Sequence, residues 1–99
     1  MPIERARLLL SAQRALLGHI GDSILATSVT AGESSIELTA FTEAGITSDE
    51  KEALDNALAE IVADFPQVDS AELHIISEET QPFKSDGHWL FIRLGVQVA

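Results

Sequence analysis

The stretch TSDEKEALDNALAEIVADF, residues 47–65, reads as one helix with a defined start, a defined stop and a single apolar stripe. Thr47 is placed to act as N-cap, and Glu50 stands three residues on, the spacing of a capping box. Asp49, Glu50 and Glu52 fall in the first turns, where the positive end of the helix dipole favours carboxylates. Leu54, Leu58, Ile61 and Phe65 recur at helical spacing with Ala57 beside them. Pro66 ends the helix, because it lacks an N–H and disfavours helical geometry at the residue before it. The far side carries Glu52, Asn56, Ala59 and Ala63, so the helix needs a packing partner on one side only.

The remaining elements are read outward from this helix. Residues 2–18 predict a first helix, rich in leucine at Leu8, Leu9, Leu10, Leu16 and Leu17, with Glu4, Arg7, Ser11 and Arg14 as its polar stripe. Its apolar arc is wider than one contact with a sheet requires, which points either to a broad core face or to a partner, including a second copy of the chain. Gly18 and Gly21 bracket a connector. Residues 24–31 and 35–42 predict an antiparallel hairpin across Gly32-Glu33, with Ile36, Leu38 and Ala40 alternating against Glu37, Thr39 and Phe41.

Beyond Pro66, residues 70–77 predict a third strand, with Glu72, His74 and Ile76 on one face. Residues 78–87 form a polar loop, and residues 89–98, WLFIRLGVQV, a last strand. The near-continuous apolar character of that strand suits a central position, or one covered on both faces. The expected fold is α+β in the order α-β-β-α-β-β. It is a two-layer sandwich with a four-stranded, mostly antiparallel sheet and both helices on one face. The 99 residues make a single domain.

Composition removes whole classes of function. With no cysteine, the chain has no disulfide, zinc–thiolate or iron–sulfur chemistry and no thiol nucleophile, which fits a cytoplasmic protein. No apolar run approaches the roughly 20 residues of a membrane span. The net charge of −10 is uneven: residues 1–20 carry +2, while residues 21–99 carry −12. Such acidity argues against nucleic acid and steers the protein toward a basic partner.

The chemistry-bearing residues assemble no recognisable catalytic pattern. His19, His74 and His88 are not spaced as a helical metal pair, and Ser85, Asp86 and His88 are explained by a loop turn. The isolated glycines build no phosphate loop. The chain is therefore read as a non-enzymatic binding protein without a cofactor. The candidate partner-binding residues are Asp49, Glu52 and Glu60 on the central helix, with Glu78, Glu79, Phe83, Asp86 and Trp89 in and beside the polar loop. Phe83 and Trp89 have a competing role as caps on the end of the core. Two other readings remain open. One is a homodimer through residues 8–17 of the first helix; the other is an enzyme using Glu72, His74 and Arg93 in a pocket on the sheet face.

The run ESSIELTAFTEAGITSDEKEALDNALAEIVADFP, residues 33–66, is followed by a strand, a Pro-containing loop and the strand WLFIRLG. This arrangement resembles a group of small acidic bacterial proteins, some of them proposed as immunity proteins of toxin systems. The resemblance rests on element order, on the helix end with Glu52, Glu60, Asp64, Phe65 and Pro66, and on the final arginine strand. It implies a rigid scaffold that presents acidic side chains to a basic toxin. It carries over no functional residue.

Overall fold

The computed structural model describes residues 3–77 and 80–99. Six elements follow one another: α1 (Arg5–Leu16), β1 (Ile24–Ala31), β2 (Ser35–Thr42), α2 (Ser48–Ala63), β3 (Ser70–Ile76) and β4 (His88–Ile92). The four strands form one sheet in the order β3-β2-β1-β4. β1 pairs antiparallel with both β2 and β4, while β3 joins β2 in parallel. The fold class and element order agree with the sequence reading. β3 and β4, neighbours in the chain, lie on opposite edges of the sheet.

Both helices cover one face. α1 lies over β1 and β4, α2 over β3, and the helices pack on each other. The core between the layers joins Leu8, Ala12, Ala15 and Leu16 of α1 to Leu54, Ala57, Leu58 and Ile61 of α2 and to Val29, Ile36, Leu38 and Ala40 of the sheet. Alternation along the strands sends Ser28, Thr30, Glu37, Thr39, Phe41, Glu72, His74 and Ile76 to the outer face.

Half of that outer face is not left to water. β4 ends at Ile92, four residues into the predicted ten-residue strand, and Gly95 turns the chain back with φ +90°. The tail then crosses the outer face. Phe83 N–H donates to Gln97 O at 2.9 Å, and Ala99 N–H donates to Phe83 O at 2.8 Å. Phe83, Phe41 and Ala26 form a second buried cluster, with Trp89, Ile76, Val96 and Val98 packed against it. This corrects the central placement of the last strand. β4 is an edge strand, and it is apolar on both faces because the helices cover one and the returning tail the other.

The first helix also departs from expectation. It runs Arg5–Leu16, and Met1 and Pro2 lie outside the described residues. Its polar stripe runs past the end of α2: Glu4, Arg7 and Arg14 stay exposed, while Ser11 does not. Ser11 is buried and donates to Asp64 at 2.6 Å; Arg14 stands 3.8 Å from the same carboxylate, and Arg7 lies over the Phe65 ring. Asp64 is the C-cap of α2, so these contacts tie α1 to the end of that helix.

Residues 21–24, between α1 and β1, form the joint of the molecule. The capping box is formed as predicted: Glu50 N–H donates to Thr47 Oγ1 at 3.1 Å, and Thr47 N–H donates to Glu50 Oε1 at 3.2 Å. The same carboxylate also accepts from Ser23 N–H at 3.0 Å and Ser23 Oγ at 2.9 Å. From the other side, the Arg93 guanidinium donates to the carbonyls of Gly21, Asp22 and Ile24. Gly21 permits the close approach, because a Cβ there would run into the Glu50 side chain.

The Ser23 and Thr47 donors hold the Glu50 carboxyl below the ordinary glutamate range. A depressed folded-state pKa gives stability that is complete above the unfolded value of about 4.3 and is lost as pH falls through the folded value. Glu50→Gln is expected to lower Tm at neutral pH. It also removes this component of the acid-side loss, so the Tm values of the two proteins converge as pH drops below the glutamate range. Calorimetry across pH checks it; a gap that stays constant contradicts the assignment.

Candidate binding surfaces

The candidate residues fall on opposite layers of the molecule. Asp49, Glu52 and Glu60 are exposed on the solvent side of α2. At 3.6 residues per turn they share one side of the helix, and at 1.5 Å per residue the row is about 16 Å long. None of the three enters an ion pair among the described residues, whereas Lys51 on the same helix is occupied by Asp55 at 3.3 Å. Lys51 and Lys84 are the only lysines or arginines between positions 21 and 86, and Arg14 of α1 lines a cavity with Glu60 without pairing with it. The row is a negative ridge on a rigid, well-capped helix.

Phe83, Asp86 and Trp89 belong to the other side of the sheet. Phe83 is only 3% exposed and stacks on Phe41, ring centroids 4.7 Å apart. Trp89 is half-buried, 5.5 Å from the same ring and tilted to it. The core-capping role is therefore the one Phe83 occupies, and it leaves no ring surface for a direct contact. Asp86 is exposed beside them. Glu78 and Glu79 lie outside the described residues.

The loop carrying Asp86 is drawn down onto β1. Ser85 Oγ is 2.7 Å from Ser28 Oγ and accepts from Gly87 N–H at 3.0 Å. A Cβ at Gly87 would collide with Thr30 and the Val29 backbone, so glycine is required where the loop touches the sheet. Between this loop and the sheet runs a groove of about 210 Å³, lined in part by Glu37, Thr39, Lys84 and Asp86.

Next to the groove, parallel pairing of β2 with β3 sets Glu37 opposite Glu72 and Thr39 opposite His74. His74 Nε2 lies 2.9 Å from Glu37 Oε1 and 3.3 Å from Glu72 Oε2. Among the described residues, these three side chains have the donor spacing a metal ion would need. All are substantially exposed, and the imidazole already partners both carboxylates, so the cluster is accounted for as a hydrogen-bonded polar patch. Glu72 and His74 do share a face as expected. The third member of the expected pocket does not join them: Arg93 is committed to backbone carbonyls at residues 21–24. Glu37 was missed, because its place beside Glu72 depends on a β2–β3 pairing that the hairpin pattern does not reveal.

Phe83→Ala is expected to destabilise the fold by about 3 kcal/mol, the ordinary cost of emptying a buried aromatic site. It should also free the loop. Trp89 is the only tryptophan, so its emission should shift to the red well before global unfolding. An unchanged spectrum would show that the ring does not hold the loop.

A search of curated proteins returns no match. A scan of protein-family models matches residues 5–94 to the model described as MafI2 immunity protein. The match spans nearly the whole chain, and the chain belongs to this family.

Proposed function

We propose that this member of the MafI2 immunity protein family neutralises a basic protein toxin by stoichiometric, non-enzymatic binding, and that the α2 ridge is the contact surface. The carrying observation is the row of Asp49, Glu52 and Glu60, exposed and without cationic partners. Three unpaired carboxylates on a stiff helix form a complementary template for a phosphate-binding surface, such as that of a nuclease-like toxin. They need no cofactor. Electrostatic steering by a chain of net charge −10 speeds the encounter, which suits a protein that must intercept a toxin in its own cytoplasm. No helix among the described residues is long and apolar enough to cross a membrane.

A second contact is favoured by the outer face. There Asp86 and the half-buried Trp89 stand beside a groove bordered by Glu37. Because the sheet lies between this face and α2, one flat interface cannot use both; a toxin that engages both must wrap an edge of the sheet.

The test is binding of the purified cognate toxin across ionic strength. Reversing the ridge charges with Asp49→Lys, Glu52→Lys and Glu60→Lys together should weaken the complex roughly a hundredfold at low salt and flatten its salt dependence. Glu33→Lys with Glu43→Lys, also at exposed positions, should change affinity far less. Unchanged affinity in the ridge variant overturns the assignment of the surface. Binding that is strong and indifferent to salt overturns the electrostatic reading.

A further inference from the structure

The charge and the exposed apolar surface of this chain are segregated. Residues 5–20 and 87–99 contain no aspartate or glutamate, although the chain carries 16 acids. Those two segments are α1 with its connector and β4 with its tail. All the large hydrophobic side chains that stand exposed among the described residues lie in them: Leu10, Leu17, Ile92 and Leu94, with Leu17 at 76%. Between the C-terminal end of α1 and β4 lies an apolar groove of about 230 Å³, lined by Leu16, Leu17, Ile20, Leu90, Phe91 and Gln13.

The groove adjoins an unpaired edge. β4 bonds to β1 on one side only, because it ends the strand order. Natural edge strands are usually guarded by lysine, proline or acidic residues, and HWLFI has none of them; a bulge at Leu90 is its single irregularity. The opposite edge, β3, carries Glu72 and follows Asp69.

We infer that this face binds a second copy of the chain, β4 pairing antiparallel with β4 across a two-fold axis, the α1 ends and Leu17 closing over the seam. Two copies of charge −10 repel almost everywhere else; here they meet without opposing carboxylates. Antiparallel pairing of identical strands is self-complementary, so the contact closes at two copies and does not propagate. The seam is distinct from the one expected from the first helix alone, because Leu8 and Leu16 are consumed by the chain's own core. It leaves the α2 ridge of each copy outward, so it stands or falls separately from toxin binding.

Sedimentation of the full chain without toxin, from micromolar to sub-millimolar concentration, reads the outcome. The wild type should sediment as a dimer. Leu17→Glu and Ile92→Lys, made separately, should each raise the dimer dissociation constant at least about tenfold, or roughly 1.4 kcal/mol. Both positions are exposed, so circular dichroism and Tm should match the wild type; if one variant melts early, the other decides. The ridge variant should remain a dimer, and hydrogen exchange at residues 88–92 should slow as concentration rises. A wild type that stays monomeric throughout overturns the proposal. So does a dimer whose stability neither variant alters.

Discussion

The irregular segment at residues 21–24 is held between two opposite charges, and the geometry of both layers depends on it. Glu50, at the start of α2, accepts from Ser23; Arg93, just past the end of β4, donates to Gly21, Asp22 and Ile24. A loop of this kind would otherwise leave backbone donors and acceptors unpaired where α1, α2 and the sheet converge. The two side chains satisfy them with charge-assisted bonds, which are stronger than neutral ones. The consequence is positional: the first turn of α2 is fixed to the loop that feeds β1. The row from Asp49 to Glu60 therefore projects from a rigid base.

Much of the fold was legible because local signals agreed. The capping box at Thr47 and Glu50, the stop at Pro66, and the alternation in residues 35–42 each named an element whose packing later matched. What stayed hidden was non-local. Nothing in SAELHII says that it joins β2 in parallel, and nothing in WLFIRLGVQV says that it breaks at Gly95. An uninterrupted apolar run was read as a central strand or one covered on both faces, and the second alternative holds. It proved to be an edge strand and a returning tail, apolar on both faces for different reasons. The polar stripe of α1 has a non-local partner of the same kind. The sequence places Ser11 on that stripe but not its partner, Asp64, 2.6 Å away across 53 positions.

The proposed binding surface was partly readable. Helical spacing alone puts Asp49, Glu52 and Glu60 on one side of α2, and exposure follows because the apolar stripe occupies the other. Sequence could not show that the loop candidates sit behind the sheet, although it did name core capping as a role for Phe83, and that is the role it takes. Glu37 emerged only with the strand register. The segregation of acids from exposed leucines was present in the sequence all along. It acquires meaning only when α1 and β4 are seen to form one side of the molecule.

A single scaffold thus separates two kinds of surface: an acidic ridge on one helix, and an acid-free apolar edge at the other end of the sheet. The central claim is that the ridge is where the toxin is met. Carboxyl-specific footprinting of the complex tests this residue by residue. Labelling of Asp49, Glu52 and Glu60 should fall sharply when the toxin binds, while Glu33 and Glu43 stay reactive. Protection confined to other carboxylates, with the ridge as reactive as in the free protein, would contradict it.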